Sequence, residues 1–133
     1  LEVYALVAGI DDEGGHIWFI ENPGIGSCFD SLGFHATGSG EPHAIYTFMA
    51  NDYNTSVPLK EALFVVYEAK KKAETAPGVG DLTDIWIIND KIKSVPKEII
   101  QKLNDIYNKK RESEVDKSKD INDMINNLEL DGL

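Results

Sequence analysis

Apolar residues run without a polar break from Val3 to Ile10, a strand's length, and stop at the turn cluster Asp11-Asp12-Glu13-Gly14-Gly15. His16-Ile17-Trp18-Phe19-Ile20 follows, rich in β-branched and aromatic residues, so the two runs read as a hairpin. Asn22-Pro23-Gly24 marks the next turn. The looser alternation from Ser27 to Thr37 then predicts a third strand, which ends at Gly38-Ser39-Gly40. Strands joined this tightly form an antiparallel meander. The first run does not alternate, and that pattern belongs to a strand covered on both faces.

The period then changes. Past Pro42, a residue suited to the first turn of a helix, Ile45, Phe48 and Met49 share one face of a short helix over His43 to Ala50. Pro58 opens a second helical pattern in which Leu59, Ala62, Leu63, Val66, Tyr67 and Ala73 recur at spacings of three and four. Lys70-Lys71-Lys72 places cations where the helix dipole favours them. Ala76-Pro77-Gly78-Val79-Gly80-Asp81 breaks that helix, and Ile85-Trp86-Ile87-Ile88 reads as a short strand returning to the same sheet. A third helix is announced by Ser94 with Pro96 and Glu98, and Ile99, Ile100, Leu103, Ile106 and Tyr107 form its stripe.

From Asn108 to Asp120 the chain turns to Lys, Arg, Glu, Asp and Ser with one Val, a composition that reads as an exposed helix extension or a linker. Ile121, Met124, Ile125, Leu128 and Leu130 give a weak amphipathic stretch that would dock on a partner subunit or fray. The expected organisation is a packed region over residues 1–110 and a charged C-terminal extension over 111–133. The fold class is α+β: a mostly antiparallel sheet with helices on one face. Its other face is then apolar and calls for cover from outside the chain. A start directly in a strand reads as a chain that begins inside a longer protein.

Composition narrows the functions. In 133 residues, 13 Lys plus Arg stand against 23 Asp plus Glu, a formal charge of -10. Nucleic-acid binding needs a basic surface to displace phosphate counterions, so nucleic acid and anionic membrane are discounted as partners. Cys28 is the single cysteine, which rules out an intramolecular disulfide and fits a reducing cytoplasm. No apolar run approaches the ~20 residues that cross a bilayer.

Leu6-Val7-Ala8-Gly9-Ile10-Asp11, then Gly15-His16-Ile17-Trp18, Asn22-Pro23-Gly24 and Phe34-His35-Ala36-Thr37-Gly38-Ser39-Gly40 stand in the order of a known set of motifs. Leu59-Lys60-Glu61-Ala62-Leu63 and Asp84-Ile85-Trp86-Ile87-Ile88 continue it. In this order and spacing the chain resembles proteasome subunits of α and β type, which are N-terminal nucleophile (Ntn) hydrolases. The resemblance implies the C-terminal half of a four-layer α-β-β-α sandwich. Its partner would be the N-terminal half of the same protein, in a homo-oligomer, and no cofactor is implied.

Family enzymes use an N-terminal Thr activated by an adjacent base. Leu1 has no nucleophilic atom, so this chain alone is expected to be inert in peptide-bond hydrolysis. The resemblance makes Ser39, in the Gly-Ser-Gly turn, an accessory catalytic residue beside the nucleophile. It also brings the Ala76–Asp81 loop near the cleft, where the amides of Gly78 and Gly80 would bind substrate. Active β-type subunits carry an Asp-x-x-Ser-Gly segment there. This chain has Thr75-Ala76-Pro77-Gly78-Val79-Gly80-Asp81 instead, so the alternative implied is a non-catalytic structural subunit of a proteasome-like ring.

Other polar residues read more plainly. Cys28 with Asp30 and His35 suggests a thiol and a base, but a buried strand cysteine accounts for the pattern better. His16, His35 and His43 lack the close spacing of metal ligands, although His16 and His35 would sit on neighbouring strands. Asp11-Asp12-Glu13 and Asn51-Asp52-Tyr53-Asn54 lack the length and central Gly of an EF-hand loop and read as solvated turns. No metal site is expected.

Overall fold

The computed structural model describes residues 2–128, and the chain divides after Pro96 into two compact units. The first unit holds five strands and two helices. Strands β1 (Ala5–Asp11), β2 (Gly14–Glu21) and β3 (Ile25–Cys28) form an antiparallel sheet in the order β1-β2-β3. Helices α1 (Glu41–Ala50) and α2 (Leu59–Ala73) follow, and β4 (Trp86–Ile88) pairs with β5 (Ile92–Ser94) in a separate two-stranded sheet. The second unit is one helix, α3 (Lys97–Asn126). The fold is thus mixed α and β with antiparallel sheets.

The hairpin forms as its pattern requires. Val7 stands opposite Trp18, and Trp18 opposite Cys28, while Ala5, Ile20 and Gly26 form the adjacent row. With side chains alternating across a strand, these two rows share one face. That face is open: Val7 is 50% exposed, Trp18 44% and Ile20 37%. The strand from Val3 to Ile10 is therefore not buried on both faces: β1 is a sheet edge, and Val7 on one face and Ile10 on the other are both about half exposed. The opposite face carries Phe19, which stacks on Tyr4 and tilts against His35.

The third strand is shorter than the sequence predicts. It ends at Cys28, and the chain then reverses, with Leu32 N and Gly33 N both donating to Phe29 O. Residues 34–37 carry no strand ladder. They still alternate. Phe34 stacks on Phe48 of α1 at 4.6 Å and meets Tyr53 edge-on, whereas His35 stacks on Phe29 at 3.9 Å on the sheet side. This two-residue step joins helices to sheet.

Buried Phe34, Ala44, Phe48, Val65, Ala69 and Ala73 make the core of the first unit, which lies between α1 and α2. The buried face of α1 is Ala44, Thr47 and Phe48, and Met49 is 65% exposed, so the face turns one residue from the Ile45-Phe48-Met49 stripe that spacing suggests. Thr47 belongs inside because its Oγ1 donates to His43 O at 2.8 Å and satisfies itself on the helix. On α2 the buried residues are Val65, Tyr67, Glu68, Ala69 and Ala73, while Leu59 and Val66 are exposed. Buried Glu68 accepts from Asn51 Nδ2 at 3.2 Å, which links the end of α1 to the middle of α2.

The strand over Ile85–Ile88 does not rejoin the first sheet. Its partner is β5, with Trp86 opposite Ser94 and Ile88 opposite Ile92, and Val95 N donates to Ile85 O to extend the ladder. Ser94 is therefore a strand residue, not the cap of the third helix.

In the second unit, α3 runs unbroken from Lys97 to Asn126, through position 110 and the charged segment. Lys, Glu, Arg and Asp spaced along one helix sustain it by propensity and by pairs such as Lys119 to Asp116 at 3.3 Å. Leu103 and Tyr107 are buried, whereas Ile106, Val115, Ile121, Met124, Ile125 and Leu128 are exposed. Leu1, Leu130 and the Asp131-Gly132 end lie outside the described residues.

Candidate functional site

The N-terminus of α1 begins on glycine. Gly38, at φ 104, makes the turn, Ser39 follows it exposed, and Gly40 is the N-cap with no side chain capping the helix. Gly40 cannot carry a Cβ without a clash, for the added atom would lie 2.6 Å from Ala73 Cβ and 3.0 Å from Ala73 O. The start of α1 is thereby pressed onto the end of α2. Pro42 in the first turn costs no hydrogen bond, because that amide has no intrahelical partner.

Immediately after α2, Ala76 N donates to Ala73 O and Val79 N to Ala76 O, which turns the chain through Gly78 at φ 81. The loop returns alongside the start of α1. A cleft of about 730 Å³ results, lined by Ser39, Gly78 and Gly80, with Leu6 and Phe48 among its apolar residues. Ser39, Gly78 and Gly80, some forty residues apart in sequence, thus line one concavity. Lys70 lies at its rim, donating from Nζ to Gly80 O at 2.9 Å. Lys70 and Lys71 both pair with Glu74. Burial pushes the Glu74 carboxyl upward, but the hydrogen bonds from the two lysines outweigh it and hold the group below its ordinary value.

His35 also lines this cleft, and its Nε2 is buried without a hydrogen-bond partner among the described residues. The ring is held between Phe19 and Phe29. It is not on a strand beside His16, as alternation through Thr37 would have it.

His16 belongs to a different constellation. Asp30 continues the face of Cys28 past the end of β3, because Phe29 N donates to Ile17 O and keeps the register for one more step. Its Oδ2 lies 2.6 Å from His16 Nδ1, and its Oδ1 accepts from Ile17 N at 2.7 Å. On the other side His16 Nε2 is 2.9 Å from Asp11 Oδ1. The imidazole is raised from 6.5 to about 9, first by Asp30 and then by Asp11. Both carboxyls are lowered in turn, chiefly by His16.

At neutral pH His16 is therefore an imidazolium with both ring N–H groups donating to carboxylates. It has no free nitrogen with which to act as a base or to ligate a metal. Among the described residues no group of three or more His, Cys, Asp and Glu is placed to hold a metal ion. Cys28 is exposed, not buried; of the two residues the sequence set beside it, Asp30 hydrogen-bonds its side chain and His35 stacks on Phe29.

The Asp11-Asp12-Glu13 cluster is thus more than a solvated turn, since Asp11 caps Glu13 N and holds His16. Sequence reading missed the Asp11–His16–Asp30 clamp because its third member lies just past the end of a strand. Only the shared strand parity of His16, Cys28 and Asp30 could have signalled it. No helix among the described residues is long and apolar enough to cross a membrane. No protein-family model matches the chain, and comparison with curated proteins gives no match.

Proposed function

We propose that this chain is the C-terminal portion of a proteasome-like Ntn hydrolase, contributing the cleft wall of a peptide-bond hydrolase whose nucleophile comes from the N-terminal half of the same protein. One observation carries the reading: Ser39, Gly78 and Gly80, taken from the motif resemblance alone, line a single cleft at the start of α1. In this reading Ser39 is an accessory group ordering the nucleophile, and backbone amides of the Gly78–Gly80 loop meet the substrate. The open Val7, Trp18 and Ile20 face fits cover by a second sheet, which makes this half of an α-β-β-α sandwich within a cytoplasmic homo-oligomer. The chain alone is inert.

The test is a covalent probe for N-terminal nucleophiles applied to the full-length protein, with peptide hydrolysis followed in parallel. Stoichiometric labelling and a rate that falls on Ser39→Ala support the reading, and absence of both sinks it. A second reading is favoured by the loop Thr75 to Asp81, which lacks the Asp-x-x-Ser of active subunits. There the parent is a structural subunit of a ring, which a full-length protein that assembles but is never labelled would establish.

A further inference from the structure

We infer that Lys70 is a positioning residue for the cleft, holding the Gly78–Asp81 backbone as a fixed part of the wall that Ser39 also lines. The inference takes from the proposed function only that this cleft is the working one.

Both parts of that wall are mounted on the last turn of α2. Gly40 is seated against Ala73, where a Cβ would come within 2.6 Å of the Ala73 Cβ. Three residues earlier on the same helix, Lys70 Nζ donates to Gly80 O at 2.9 Å. An ammonium has three donors, and Glu74 takes one of them, with Lys71 holding the other oxygen of that carboxylate. The pair is partly shielded, with side-chain exposures of 24% for Lys70 and 17% for Glu74. Lys70 is thus steered by a carboxylate that is itself fixed, and it points its charge at a loop carbonyl.

The loop needs such an anchor. From Val79 to Ile85 it belongs to no helix or strand, and Leu82 is 90% exposed. Gly80 is also bare for no local reason, because its φ is not in the left-handed region and an added Cβ would meet nothing within 4 Å. At this point the wall is backbone alone, placed by the lysine rather than by packing of its own side chains.

The experiment is backbone order by NMR relaxation on the full chain, comparing Lys70→Met, Lys70→Arg and Lys71→Met. In the wild type, Gly80 is expected near the rigid-backbone order parameter of about 0.85, falling below about 0.6 in Lys70→Met. Lys71→Met removes a partner of Glu74 but leaves the Lys70 bond to Gly80 O in place, so Gly80 is expected to stay ordered, and Lys70→Arg restores order by donating to the same carbonyl. A wild-type Gly80 that is already mobile overturns the inference. So does an unchanged Gly80 in Lys70→Met, equal loosening in Lys71→Met, or a loss of order in Lys70→Met that spreads through α2. None of these readouts requires hydrolysis, so a negative nucleophile probe and a negative relaxation result are distinguishable.

Discussion

His16 Nδ1 lies 2.6 Å from Asp30 Oδ2, so a charged hydrogen bond ties the second strand to the chain just beyond the third. With Asp11 on its other nitrogen, the ring keeps its proton far above the ordinary histidine value, at about 9 against 6.5. An NMR titration of the His16 ring is expected to give a midpoint near 9, and Asp30→Asn to bring it down toward 6.5. A wild-type midpoint near 6.5 would contradict the clamp.

The same clamp sets a pH dependence with two edges. The contribution of His16, raised in the folded chain, is complete below pH 6.5 and is lost as pH climbs through about 9. Asp11 and Asp30 are lowered, so theirs is present above the ordinary 3.8 and is lost as pH falls through their lowered values. Thermal unfolding across pH should show a decline above neutrality that His16→Gln abolishes.

Two glycines of the cleft should respond oppositely to alanine. Gly40→Ala forces a methyl onto Ala73 and is expected to cost about 1–3 kcal/mol, as overpacking does. Gly80→Ala enters open space and should stay within about 0.5 kcal/mol of the wild type. Urea denaturation measures both, and equal stabilities would refute the close seat of α1 on α2.

Phe34 is 5% exposed and stacked on Phe48 with Tyr53 at its edge. Phe34→Ala is expected to cost about 3–5 kcal/mol, the range for emptying a buried aromatic site. Tyr46→Ala, at a side chain 71% exposed on the same unit, makes the control and should change little.

Val115 is 53% exposed in mid-α3. Val115→Pro removes an internal hydrogen bond and clashes with the preceding turn, at about 3 kcal/mol. Loss of helical signal by circular dichroism is the expected result, and an undiminished signal would argue against a continuous helix there.

The legible parts of this chain were those whose signal is local. The β1–β2 hairpin announces itself by two apolar runs around Asp11–Gly15, and α2 by its spacing after Pro58. Tertiary partners decided the rest. Ile92-Lys93-Ser94 is too short and too mixed to read as a strand until Ile85–Ile88 lies beside it, so Ser94 passes for a helix cap. The alternation from Ser27 to Thr37 is real but outlasts the ladder, because the turn on Phe29 O removes the strand while leaving its parity. Asn108 to Asp120 left a helix extension and a linker both open, and the helix forms, because side chains that cannot build a core can still build a helix. Of the residues lining the cleft, Ser39 came from motif order and Gly78 and Gly80 from the place of their loop in the fold that the resemblance implies, whereas Lys70 was read only as a dipole cation, its carbonyl partner being invisible along the chain.

The step at Phe34 and His35 has a consequence for the lineage of this sequence. One ring serves the helices and the next serves the sheet, so parity across residues 29–36 is worth more than the identity of most side chains there. A gain or loss of one residue would swap the phenyl ring of Phe34 for an imidazole in the core and unseat both layers together. Relatives of this chain should therefore vary in length at the Ile88–Ile92 turn and hold the distance from Phe29 to Gly40 constant.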